Sequence, residues 1–95
     1  MPNENVQEIK ITDNLQGAEY TNLANISHNK EEFQLMFANV LPPVGRVVAK
    51  IITTPGHFKR MIAAMNENLK RYEASFGTIE EAEPVQQNKE IGFKS

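Results

Sequence analysis

The chain reads as an α+β protein: a four-stranded antiparallel meander followed by one long C-terminal helix and a disordered acidic tail. Two patterns predict this. The first half alternates apolar and polar residues in short segments separated by turn-forming residues, the period-2 signature of strands. Residues 55–76 instead carry apolar side chains at alternating spacings of four and three, with a capping residue before them and a glycine after. With 95 residues, there is room for one domain, here residues 1–77, with a thin core.

The first expected strand is Val6 to Thr12, where Ile9 and Ile11 share one side and Glu8 and Lys10 the other. Asp13-Asn14-Leu15-Gln16-Gly17 then supplies turn residues. The second segment runs from Tyr20 to Ser27, alternating through Tyr20, Asn22, Ala24 and Ile26. Ser27-His28-Asn29-Lys30 is read as a hairpin connection, although it contains no glycine.

Phe33 to Val40 is apolar on both sides, with Phe33, Leu35 and Phe37 opposed by Met36, Ala38 and Val40. Pro42, Pro43 and Gly45 stop it firmly. Arg46 to Thr54 is rich in β-branched residues and is the strongest strand signal.

The helix is the clearest element. Thr54 suits its N-cap, Pro55 its first position and Gly77 its end. Phe58, Ile62, Met65, Leu69, Tyr72 and Phe76 follow at spacings of 4, 3, 4, 3 and 4, one continuous seam. Thr78 to Ser95 is mostly polar and aperiodic, hence the disordered tail, residues 78–95.

Composition narrows the function classes. Hydrophobic residues at 40% and charged residues at 23% suit a soluble globular protein. The longest apolar run is far short of the roughly 20 residues of a membrane span. The polar, acidic start resembles neither a secretory signal nor a transit peptide, and without cysteine there is no disulfide framework or thiolate site. A cytoplasmic location is the simplest expectation, with no cofactor and no membrane partner.

Charge is unevenly spread. Residues 1–45 carry two positive and six negative side chains, residues 46–77 six positive and two negative, and residues 78–95 two positive and four negative. The six in the middle are Arg46, Lys50, Lys59, Arg60, Lys70 and Arg71. Arg46 and Lys50 lie four apart on what regular alternation makes one strand face, and the other four lie along the helix, off the seam. They are the candidate binding residues, a phosphate-contacting surface with Tyr20, Phe33 and Phe37 as stacking platforms. The competing interpretation is a solvated face that balances the acidic first half.

Catalysis has little support. His28 falls in a loop and His57 in the first helical turn, and neither has carboxylates at metal-ligand spacing. Thr54-Pro55-Gly56-His57 opens a helix whose free amides suit an anion, yet Pro55 removes one donor and the glycines of a phosphate loop are missing. No catalytic residues and no metal site are expected.

Several runs together resemble a family of small prokaryotic proteins known only as a domain of unknown function. They are Ser27-His28-Asn29-Lys30-Glu31-Glu32-Phe33, Pro42-Pro43 and Gly45-Arg46-Val47-Val48-Ala49. Thr54-Pro55-Gly56-His57-Phe58-Lys59-Arg60-Met61, Asn68-Leu69 and Tyr72-Glu73-Ala74-Ser75-Phe76-Gly77 complete the match. The resemblance spans about residues 6–80 and implies a free-standing cytoplasmic protein, with no activity to transfer. A sheet followed by a helix also looks like two dimeric architectures, one binding single-stranded nucleic acid and one holding unfolded chains, and fold alone does not choose between them.

Two apolar strands and one helix leave a sheet face uncovered, a larger patch than a soluble monomer usually carries. A second copy is the simplest cover. The expected function is therefore a non-enzymatic, homo-oligomeric binding or assembly module. The alternatives are a single-stranded nucleic-acid binder using the six basic residues and a peptide-holding module using the apolar sheet face.

Overall fold

A computed structural model describes residues 7–82. Three strands, β1 (Leu23–His28), β2 (Phe33–Leu41) and β3 (Val44–Thr53), form an antiparallel sheet in the order β1-β2-β3, followed by helix α1 (Pro55–Phe76). The fold is α+β as expected, with three strands among the described residues rather than four.

The expected strand at residues 6–12 does not form over its described part, residues 7–12, and Ile11 there is 87% exposed. Alternation allows a residue run to be a strand, but a ladder requires a partner edge, since the backbone groups must be paired. β1 is an edge strand whose outer side pairs with no described strand, yet residues 7–12 form no ladder with it; the chain just before β1 turns toward β2. Thr21 Oγ1 donates to the Ala38 carbonyl (2.8 Å). The Asn22 backbone N–H donates to the same carbonyl at 3.1 Å. The Asn22 carboxamide then accepts from the Val40 N–H and donates to the Val40 carbonyl, both at 2.9 Å. One side chain thus imitates a strand residue, and β1 begins at Leu23 rather than at Tyr20.

The β1–β2 connection needs no glycine because Asn29 organises it. Its Oδ1 accepts from the backbone N–H of Glu31 (2.7 Å) and Glu32 (3.0 Å), while its own N–H donates to the Glu32 carbonyl. Asparagine is favoured in such turns for this bonding. Pro42 and Pro43 alone link β2 to β3, through a cis peptide between them.

Strand register assigns the faces. Ala24, Ile26 and His28 pair with Phe37, Leu35 and Phe33, which in turn pair with Ala49, Ile51 and Thr53. Directly paired residues lie on the same face, so this face is apolar. The opposite face is polar over Asn25, Ser27, Gln34 and Lys50, beside Met36 and Ile52, and turns apolar at its other end with Leu23, Ala38 and Val47. A bulge interrupts the β2–β3 ladder between Phe37 and Ala38: Phe37 pairs with Ala49 but Ala38 with Val47, leaving Val48 extra.

The helix occupies the predicted span. Thr54 is extended (φ −79°, ψ 157°), and its Oγ1 accepts from the His57 N–H at 3.2 Å. Gly77 ends the helix at φ 95°, a value that disfavours any residue with a Cβ. Its N–H donates to the Glu73 carbonyl at 2.9 Å. Thr54→Ala is expected to cost about 1 kcal/mol through loss of the cap. Chemical denaturation reads this directly, and an unchanged midpoint would show that the cap is dispensable.

α1 does not lie along the sheet. None of its residues is buried, and it meets the sheet at its first turn, where the Phe58 and Phe33 rings stack at 4.1 Å and 6°. The expected covering of one sheet face by the helix is therefore limited to this end. Among the described residues, the buried apolar side chains are Leu35 and Ala38, 3% and 4% exposed, which alternation places on opposite faces of β2.

Candidate binding surfaces

Three surfaces follow from this arrangement. The first is apolar and runs over two elements. Beyond Phe58, the helix seam consists of Ile62, Met65, Leu69, Tyr72 and Phe76, all between 45% and 75% exposed. At 3.6 residues per turn these stay on one side of the helix, and at the Phe33–Phe58 stack they join the apolar face of the sheet. Ile26 and Ile51 on that face are exposed as well. The Tyr72 and Phe76 rings touch at 4.9 Å, so the far end of the seam is an aromatic pair.

The second surface is the polar sheet face, where Asn25, Ser27, Gln34, Met36 and Lys50 line a shallow depression of about 90 Å³. Small-molecule sites are typically about 300–1,000 Å³, so this depression suits a few water molecules or a side chain from another chain.

The third is basic. Lys59 and Lys70 are eleven residues apart, three turns of helix, as are Arg60 and Arg71. The four therefore form two rungs about 16 Å apart, with Arg60 and Arg71 on the side away from the apolar seam and Lys59 and Lys70 on its flank. Arg71 is bonded to Glu67 at 2.6 Å and Arg60 Nη2 to His57 Nδ1 at 2.9 Å. Arginine can only donate, so His57 Nδ1 is the acceptor in this contact.

The other two basic candidates do not join them. Arg46 pairs across the ladder with Asn39, and Lys50 with Met36. Asn39 and Met36 are three apart on the regular strand β2, hence on opposite faces. The extra residue at the bulge has reversed the parity of β3, so Arg46 and Lys50 lie on opposite faces rather than on one. Arg46 instead bonds Glu19 at 3.2 Å, with both side chains well exposed. Such pairs contribute about 0–1 kcal/mol.

Tyr20 is exposed, whereas Phe33 and Phe37 are half-buried in the sheet. Phe33 already stacks against two rings of its own chain, His28 and Phe58. The amides of the first helical turn are similarly engaged: His57 N–H is held by Thr54 Oγ1 and Phe58 N–H by the Thr54 carbonyl. Helix capping accounts for this turn. Among the described residues, no three His, Cys, Asp or Glu side chains are grouped to hold a metal ion, and no helix is long and apolar enough to cross a membrane.

Two residues central to the surfaces receive no role from composition or spacing alone. Asn22 stands in for a strand residue, a role hidden because its partner, Val40, is 18 positions away. Glu73 flanks the apolar seam, and its Oε2 accepts from the Ile79 N–H at 2.9 Å. Its proximity to the seam is readable from helical periodicity, one position past Tyr72.

A family model described as a protein of unknown function (DUF3467) matches residues 2–81. No curated protein and no solved structure matches the chain.

Proposed function

We propose, for a chain that belongs to the DUF3467 family of unknown function, that it is a non-enzymatic assembly module working as a homo-oligomer. The observation that carries this is the apolar seam of α1, which no described residue covers, and its continuity with the apolar sheet face. A 22-residue helix with no buried residue has little to hold it in water, because most helical stability in proteins comes from packing one face. Two buried side chains are likewise a small core for a sheet. Association supplies the missing burial, since apolar area removed from water is worth about 25 cal/mol per Å².

Light scattering coupled to size exclusion at micromolar concentration is expected to give at least twice the 10.7 kDa chain mass. A monomer that is fully folded under those conditions rules the proposal out.

A second reading is supported by the two basic rungs of α1. A single-stranded nucleic acid lying along Lys59, Arg60, Lys70 and Arg71 would contact them through its phosphates, with affinity falling steeply as salt rises. In this reading Lys70→Glu with Arg71→Glu removes oligonucleotide binding while the helical circular dichroism is unchanged. If no oligonucleotide binds at low salt, the rungs are solvated surface. A peptide-holding role would use the apolar surface and strengthen with salt, so the same titration with an unfolded polypeptide separates the two.

A further inference from the structure

Given the assembly reading above, on which this inference rests, the pattern of α1 also indicates how two copies meet. We propose that two α1 helices pack seam to seam and antiparallel, about a two-fold axis at the level of Glu67.

In a two-fold interface, if residue i contacts residue j, then j contacts i. Antiparallel helices related this way pair residues whose numbers have a constant sum. The seam meets this condition throughout: Met65 faces Leu69 of the second copy, Ile62 faces Tyr72, and Phe58 faces Phe76. The spacing 4, 3, 4, 3, 4 is the same read in either direction, so no seam residue is left over. Phe76, the most exposed of the six, would add its ring to the Phe33–Phe58 stack of the other copy.

The flanks decide direction. A two-fold perpendicular to the plane of the two helices leaves each flank on its own side, so a flank faces its own copy in reverse. The flank one residue past Phe58, Met65 and Tyr72 carries Lys59, Asn66 and Glu73. Reversed, Lys59 meets Glu73 of the second copy, Asn66 meets Asn66, and Glu73 meets Lys59. The other flank carries Met61, Asn68 and Ser75, which bring no like charges together. Such flanking pairs set partner choice and orientation in two-helix seams. In a parallel pair the opposite flanks meet: Met61 would face Asn66 and Asn68 would face Glu73, and no opposite charges would meet. Glu73 is half-buried in its own chain, with Oε2 held by Ile79 N–H. Its Oε1 has no partner among the described residues.

Charge reversal tests this. In Lys59→Glu both facing pairs become acid with acid, and in Glu73→Lys both become base with base. Each variant alone is expected to dissociate at protein concentrations about tenfold higher than the unsubstituted chain. An equimolar mixture of the two should recover the original mass, because the new carboxylate at position 59 of one copy then meets the new ammonium at position 73 of the other. The double variant should recover it too. Recovery in neither would overturn the antiparallel pairing.

An independent readout uses spin labels at single cysteines in a chain that otherwise has none. Labels at Asn66→Cys should lie almost level across the axis, whereas labels at Ser75→Cys should be separated by about 24 Å along it, from 1.5 Å per residue. Equal distances at the two sites indicate a parallel pair or a helix docked on the other copy's sheet, and the inference fails while assembly stands. If the unsubstituted chain is monomeric, both fail together.

Discussion

Replacing Leu69 with aspartate is expected to separate the copies and lower the melting temperature by about 10 °C or more. Leu69 lies near the middle of the seam, so each copy would place a carboxylate against the apolar groups of the other. Truncating a buried leucine alone costs about 2–5 kcal/mol, and burying an unpaired charge adds to that. For a domain of this size each kcal/mol corresponds to roughly 4–8 °C. Ala74→Asp, on the outer side of the helix, is the matched control and should leave mass and melting unchanged. Two further features should accompany the effect. The melting temperature of the unsubstituted chain should rise with protein concentration, as it does when folding and association are linked, and the Leu69→Asp variant should lose that dependence. A Leu69→Asp chain with unchanged mass and melting would show that the seam is not an interface.

Leu35→Ala is expected to destabilise the sheet by about 2–4 kcal/mol, the usual range for removing most of a buried leucine. Leu35 is 3% exposed, pairs with Ile26 on one side and Ile51 on the other, and shares its face with the Phe33–Phe58 stack. Truncation leaves a void between two strands that the short sheet cannot easily close. Ile52→Ala makes the comparison, since Ile52 is on the polar face and 58% exposed, and there the loss should be below about 1 kcal/mol. Denaturant midpoints at fixed protein concentration measure both. Equal losses in the two variants would mean that the apolar face of the sheet is not the core side.

The surfaces were legible in the sequence to different depths. Every part of α1 could be read locally, because the cap Thr54, Pro55, Gly77 and the seam act within one or two turns of the residues they specify. The same locality makes the four basic positions on the helix readable as two rungs. β2 and β3 were recognisable from their β-branched and aromatic residues, although their ends shift by a residue or two. The segment at residues 6–12 shows the limit: Ile9 and Ile11 alternate correctly, but alternation says which side a residue faces and not whether a partner strand is there. Asn22, through its carboxamide, occupies the position in which a longer strand would have paired with Val40.

Arg46 and Lys50 mark the same boundary at the level of a single residue. Their spacing puts them on one face of any regular strand, and only the ladder reveals that Val48 is extra and that the two point opposite ways. By itself, then, the sequence determined the helix, its seam, the apolar character of the central strands and the uneven distribution of charge. All of these depend on interactions between near neighbours in the chain. The tertiary structure alone decided the number of strands, the bulge, the polar and apolar faces of the sheet, and the departure of α1 from the sheet after Phe58. These depend on which distant backbone groups find partners, and pairing over long separations is set by the competition among all available edges rather than by any one segment.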